Sequence, residues 1–271
     1  MGLRINTNTA SLNASRILRR STQALNTSLE RLSSGLRINR AKDDAAGLAI
    51  AEGFRSQVLG TAVAQRNSQD GISLMQTTEG ALSETTNILQ RIRELAVQAA
   101  NGTQTQDNRA AIDLEVAQLL EQIDDIALDT EFNGLRVLST AQTVTLQAGA
   151  QAGQTLSVVV SGATTADLVV SKVTVSSMVA AVSALSTIDK AIQSVTSLRS
   201  TLGAFQNRLE FTINTLAIQE ENASASESYI RDADIAKETI EYTRTQILVS
   251  SGTTVLAQAN LIPQTALTLL G

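Results

Sequence analysis

The 271-residue chain has no cysteine, histidine or tryptophan, a single proline (Pro263), and an aromatic content of 2%. Without cysteine or histidine there is no thiol nucleophile, no Ser-His-Asp triad and no zinc site of the usual ligand types. No disulfide can staple the fold, so cysteine usage carries no information about redox compartment. No run of ~18 apolar residues occurs, so no transmembrane helix or membrane insertion is expected. The first 30 residues hold no continuous apolar stretch of the kind a cleaved secretory signal needs. A net charge of −5 lacks the basic footprint of nucleic-acid binders. No cofactor is expected.

What the sequence does contain is 43% hydrophobic residues with almost no large rings among them. Alanine, leucine, isoleucine and valine, set among serine, threonine, glutamine and asparagine, suit narrow helix–helix seams better than a thick globular core. Charge is unevenly placed. Residues 1–43 carry eight basic side chains against two acids, whereas 226–271 carry three against five. Two solvated faces account for this, and so does attraction between the ends or between neighbouring copies.

Three zones follow. From 1 to about 138 the pattern is helical. Leu25, Leu29, Leu32 and Leu36 run at 4-3-4 spacing, an a/d seam, preceded by capping residues Asn6 to Ser11. Gly35 and the stretch 39–44 interrupt it, and Asp43-Asp44 suits the start of a second helix. Met75, Leu82, Leu89 and Ala96 then repeat every seventh residue, with Thr78, Thr85, Ile92 and Ala99 as companions. A helix over 44–100 would be about 85 Å long. After the Asn101-Gly102 stop, Ile112, Val116, Leu119, Ile123 and Ile126 mark a third helix, ended by the Asn133-Gly134 turn. From 135 to 176 the short β-branched runs 143–146, 156–160 and 168–170, separated by glycines, predict β-hairpins. From 177 the helical pattern returns through Leu185, Ile188, Ile192, Val195, Leu202, Leu209 and Leu216. Beyond a polar patch at 221–228, Ile240, Ile247 and Leu261 lie on a seven-residue lattice beside a small line of Ala236, Thr243, Ser250 and Ala257.

Both ends therefore carry apolar stripes with no globular partner adjacent in sequence. Isolated helices are marginal in water, so the ends are expected to pair with each other and with other copies, becoming ordered on assembly. Open, head-to-tail contacts of that kind build helical filaments. The expected fold is mainly α: a long antiparallel coiled-coil bundle with a small β-hairpin region.

Several long segments then resemble one family. They are 29–39 (LERLSSGLRIN), 41–50 (AKDDAAGLAI), 67–73 (NSQDGIS), 76–82 (QTTEGAL) and 90–98 (QRIRELAVQ), with 202–210 (LGAFQNRLE), 231–238 (RDADIAKE) and 255–264 (VLAQANLIPQ). In that order they are similar to the N- and C-terminal signatures of bacterial flagellins, over roughly 1–140 and 178–271. The resemblance implies a secreted, self-assembling filament subunit for motility. Residues 1–43 would pair with 227–271 as an inner layer, and 44–226 would form a helical rod with hairpins at about 135–176. Between the matching halves there is no room for the outer domains or inserted protease of longer members, so a thin, smooth filament is expected and no enzyme. The family's type III export, unfolded and without a cleaved signal, fits a chain lacking disulfides. Implied partners are further copies, an export chaperone, and cap and junction proteins. The filament is expected outside the cell, a periplasmic one also being compatible.

Arg91, Leu95 and Glu115 fall where flagellins present the patch read by Toll-like receptor 5; Arg91 and Leu95, four apart, share a helix face. Packing between adjacent subunits accounts for the same face, and monomers expose what filaments bury. The inter-helix assembly seam is assigned to Leu25, Leu29, Leu32, Leu36, Ile240, Ile247 and Leu261. Asp43-Asp44 and Asp124-Asp125 are a helix start and a solvated face rather than acid/base or metal groups. Asn-x-Ser/Thr triplets at Asn13, Asn26, Asn101 and Asn222 arise by chance in so polar a chain. Two alternatives remain: a hook–filament junction protein, made in few copies, and a chemoreceptor-type coiled coil, which needs a membrane anchor and no hairpins.

Overall fold

The computed structural model describes residues 7–268, with side chains to Leu261. In chain order the elements are α1 (Thr9–Ser34), α2 (Ala45–Ala99), α3 (Gln106–Asp129), the strands β1 (Glu131–Phe132), β2 (Leu135–Arg136), β3 (Gln142–Gln147) and β4 (Thr155–Val160), then α4 (Met178–Arg231) and α5 (Ile235–Thr268). The fold is mainly α. It divides into two compact units: one takes the chain up to Ser56 together with the chain from Asn222, and the other is Gln57–Glu221.

In the first unit α1 and α5 run antiparallel. Asn8 caps α1, its Oδ1 accepting from Ser11 N at 3.0 Å, and its Nδ2 donates across to Ala259 O at 2.8 Å. Ser11 Oγ donates to Asn260 Oδ1 at 2.7 Å, and Arg31 pairs with Glu238 at 3.6 Å at the other end. Helix α1 ends where Gly35 takes a left-handed φ of 71°, as a C-terminal glycine does. Beyond it, Leu36 bridges Asp232, with Arg37 N donating to Arg231 O at 2.7 Å and Ala233 N to Gly35 O at 2.9 Å. Asp44 begins α2 by accepting from Gly47 N at 2.8 Å, and Asp234 begins α5 by accepting from Lys237 N at 3.1 Å. Asp43 does something else. Its Oδ2 accepts from Arg40 N at 3.0 Å and Asn39 N at 3.3 Å, and the Arg40 bond above all holds its carboxyl below the ordinary carboxylate value.

The second unit contains the large core. Met75, Leu82, Leu89 and Ala96 and their companions Thr78, Thr85, Ile92 and Ala99 are all buried, as the seven-residue repeat predicts. They meet Ile112, Val116, Leu120 and Ile123 of α3 and Ile188, Val195, Leu202 and Leu209 of α4. Polar ties set the antiparallel register. Gln65 donates to Glu220 at 2.8 Å, and Arg93 pairs with Asp189 at 2.7 Å. The buried threonines cost nothing in unmet hydrogen bonds, because each hydroxyl donates to the carbonyl four residues back.

Two antiparallel hairpins fill the interval between α3 and α4. The β1–β2 turn has both central residues, Asn133 and Gly134, at positive φ (51° and 78°), the type I′ geometry that Asn-Gly favours. In the larger hairpin Gln142 pairs Val160 and Gln147 pairs Thr155. Leu146 from its inner face sits so close to Gly71 that a Cβ there would lie 2.3 Å from Leu146 Cδ1.

The third β run, 168–170, is not a strand. It is a turn, with Leu168 N donating to Thr164 O and Val170 N to Thr165 O, and with Val169 at φ 59°. Local polar groups outcompete a ladder here. Thr164 and Asp167 bond reciprocally, and the Asp124 carboxylate accepts both Thr165 N (2.7 Å) and Thr165 Oγ1 (2.8 Å). Asp124 is thus a clasp from α3, not part of a solvated face. Asp113 repeats the device, accepting from Val175 N at 2.6 Å.

Candidate assembly surface

The α1–α5 seam is narrower than the sequence suggests. On α1, Leu18, Leu25 and Leu32 are half-buried and alternate with Ala14, Ser21, Ser28 and Gly35, of which Ser28 is buried. On α5, Tyr242, Val249 and Leu256 alternate with Thr245, Gly252 and Ala259. Large side chains on one line and small ones on the other let the backbones approach closely. A Cβ at Gly252 would stand 3.1 Å from Leu18 Cδ1.

Of the seven assigned seam residues, only Leu25 and Leu32 lie on the α1 face turned to α5. Leu36 lies past the helix end, in the bridge to Asp232. Leu29 is 54% exposed, Ile240 68%, Ile247 60% and Leu261 50%. The small line Ala236, Thr243, Ser250 and Ala257 is likewise exposed, not at the seam. The correction has a simple cause. A seven-residue lattice fixes the spacing of a stripe, but both flanks of Leu25 and Leu32 obey it, and the chain pairs through the serine flank.

The displaced residues form an outward apolar face. On α5, Ile240 and Ile247 with Leu248, Thr239, Thr243 and Arg244 line an open groove of about 460 Å³. Val255 (57% exposed) and Leu261 continue it, and on α1 Leu12 (61%), Ile17 (54%) and Leu29 are exposed on different sides of the helix. Burying one such side chain is worth roughly 1.5–3 kcal/mol. Leu12, Ile17, Leu248 and Val255 were legible as apolar residues, but nothing in the spacing marked them as outward.

The Arg91 cluster belongs to the second unit. Arg91 on α2 bonds Glu115 of α3 at 2.9 Å and Glu94 at 3.2 Å. Glu115 first, then Glu94, raises the guanidinium's pKa above its ordinary value. Arg91 and Glu115 are exposed, but Leu95 is 2% exposed and belongs to the core. The structure therefore brings Arg91 and Glu115 together at the surface with Leu95 buried. Among the described residues no group of three or more His, Cys, Asp or Glu is placed to hold a metal ion. No described helix is long and apolar enough to cross a membrane.

Comparison with known proteins agrees with this architecture. The family model of the bacterial flagellin N-terminal helical region matches residues 5–143, and that of the C-terminal helical region matches 185–270. A flagellin of Halalkalibacterium halodurans is 46% identical, covering 98% of this chain and 99% of that one. A flagellin of Bacillus subtilis is 44% identical over 99% of this chain and 100% of its own length. A flagellar filament core protein of Treponema maltophilum is 42% identical, covering 98% of this chain and 99% of that one. A crystal structure of Bacillus cereus flagellin, 32% identical, covers 56% of this chain and 88% of its own with a TM-score of 0.49. Matched by both terminal family models and by relatives of its own length, the chain belongs to the bacterial flagellin family and is a structural subunit of the flagellar filament.

Proposed function

We propose that the α1–α5 pair, drawn from 1–43 and 227–271, forms the inner layer of the filament, and that 44–226 forms the rod layer. The observation that carries this is the outward row of Ile240, Ile247 and Leu261 on α5, flanked by Leu248 and Val255, together with Leu12, Ile17 and Leu29 exposed at separate positions round α1. Such a row is unstable in water and is satisfied by the same pair in neighbouring copies. Before assembly an export chaperone covers it; at the filament ends cap and junction proteins do so. Export is by the flagellar type III route, and the assembled filament lies outside the cytoplasm. No enzymatic role is assigned.

The exposed Arg91–Glu115 pair is the part of the second unit that a Toll-like receptor 5 type partner would meet, with Leu95 beneath it as support. Packing between subunits remains the pair's structural role.

Hydrogen exchange on monomer and on seeded filaments tests the layer assignment. Amides of α1 and α5 are expected to exchange fast in the monomer and to gain strong protection in the filament, while core amides of α2 and α4 change little. Equal protection of α1 and α5 in both states would refute the assignment.

A further inference from the structure

We infer that the Asn101-Gly102 peptide is a self-modifying site, at which Asn101 exchanges its side-chain amide for a carboxylate through a cyclic imide. The dipeptide sits in the exposed turn between α2 and α3. Three features of that turn bear on the chemistry.

The first is the electrophile. Thr103 N donates to Asn101 Oδ1 at 3.1 Å, which folds the side chain back along its own main chain. When Cγ becomes tetrahedral, negative charge develops on that same oxygen, so a donor already stands where the charge will form. The second is the nucleophile. Among the described residues the Gly102 N–H has no hydrogen-bond partner. The Asn101 main-chain carbonyl, the other end of that peptide unit, accepts from Arg109 Nη2 at 3.1 Å and from Gln104 N at 3.2 Å. A guanidinium on the carbonyl stabilises the anion left when the attached N–H loses its proton. Arg109 is itself fixed, its Nε donating to Ala99 O at 2.9 Å as a clasp on the last turn of α2. The third is access. Gly102 has no side chain, and nothing lies within 4 Å of where a Cβ would be.

The reaction balances without an oxidant or a cofactor. Gly102 N loses its proton and bonds to Asn101 Cγ. The Cγ–Nδ2 bond then breaks, and Nδ2 leaves as ammonia with a proton from solvent. Water opens the five-membered imide at either carbonyl, giving aspartate or isoaspartate. Aspartate can keep the Thr103 bond. Isoaspartate cannot, because the main chain then runs through an added methylene and carries the carbonyl away from Arg109. Either product adds a negative charge to the turn.

The chain contains its own control. Asn133-Gly134 is the same dipeptide, also exposed, but at φ 51° and 78° in a type I′ turn. Among the described residues, neither its asparagine side chain nor its asparagine carbonyl accepts a hydrogen bond. The two sites share the dipeptide and differ in the polarising donors and in the turn that holds it.

Tryptic peptide mapping of the aged, full-length protein tests this. Cleavage after Arg93, Arg109 and Arg136 separates the two sites into peptides 94–109 and 110–136, and fragmentation distinguishes Asn101 from Asn108. After incubation at mildly alkaline pH, Asn101 is expected to convert about tenfold faster than Asn133, a difference of ~1.4 kcal/mol in barrier. In urea, where neither turn persists, the two rates should converge. Arg109→Met should remove most of the advantage, and Gly102→Ala, which the open space accommodates, should suppress conversion at Asn101. Equal rates at the two sites in the folded wild-type protein overturn the inference, as does an advantage that survives in urea. Neither of those measurements depends on a variant that folds.

Discussion

The two units of this chain are made from the same kinds of residue and hold themselves together by different means. The second unit closes a core in which Met75, Leu82, Leu89, Ile92, Ile123, Ile188, Leu202 and Leu209 are fully buried. Three helices and a hairpin contribute to it, so its hydrophobic stripes are satisfied within one copy. In the first unit, the α1–α5 pair meets along one seam. Its buried side chains there are Ser28, Thr245 and Ala259, and most of its large apolar residues face outward. Apolar content alone does not say whether a helix is finished. What differs is how many faces of each helix are covered inside the chain, and the outward faces of α1 and α5 are left exposed.

The sharpest way to break that contrast is to place a charge on the outward face. Ile247→Asp is expected to abolish seeded polymerisation seen by electron microscopy, because assembly would bury an unpaired carboxylate. Leu29→Asp should do the same. The core of the second unit should keep its unfolding transition in both variants. Filaments of normal length from either one would end the assembly reading of this face.

Core truncation should show the opposite behaviour. Leu82→Ala or Ile92→Ala is expected to destabilise the monomer by about 2–5 kcal/mol in urea unfolding, from lost transfer energy plus a cavity. Leu25→Ala, on the half-buried seam, should cost the monomer much less. Similar losses at Leu82 and Leu25 would erase the distinction between the two units.

The glycine contacts sharpen it further. Gly71→Ala should lower stability by roughly 1–3 kcal/mol despite the better helix former, because its Cβ meets Leu146 and Leu209 in a packed core. Gly252→Ala meets only Leu18 Cδ1 at 3.1 Å, and the narrow seam can open slightly to accept it. Its expected effect is near zero in the monomer.

The smallest effect concerns Asp43. Its carboxyl is held below the ordinary value by main-chain donors, so its contribution is complete at neutral pH and is lost only as the pH falls through that lowered value. The stability difference between wild type and Asp43→Asn should therefore stay flat from neutral pH down to the ordinary carboxylate range and shrink below it. A difference that fades nearer neutrality would contradict the geometry at Arg40.

Much of this architecture could be read from the amino acids. The heptad of Met75, Leu82, Leu89 and Ala96 marked a core face correctly because that helix is covered along the repeat, and Asn133-Gly134 was legible as a turn, though not as the I′ turn of a hairpin that starts before 135. Reading failed where two solutions share one periodicity. Leu29 and Ser28 are equally good companions to Leu25 and Leu32, and only the partner helix decides between them. It failed again at 168–170, where three β-branched or apolar residues look like a strand but the deciding groups, Asp124 and Asp113, are contributed by α3 from far away in sequence. The buried position of Leu95 beside an exposed Arg91 was invisible for the same reason: helical spacing gives a face, not what lies against it.

The segment that Asp124 and Asp113 pin down has a use in engineering. Its ends are anchored at Thr165 and Val175, while Val169 between them is 75% exposed and holds a left-handed turn. Foreign sequence spliced in after Val169 would interrupt the Val170 N bond to Thr165 O but leave the two carboxylate contacts, the larger hairpin and the start of α4 in place. Chain closure adds only about 0.6 kcal/mol for each doubling of loop length, so cargo length is thermodynamically forgiving at this point. The same two carboxylates that hold this turn thus bracket a point where the chain can accept added sequence.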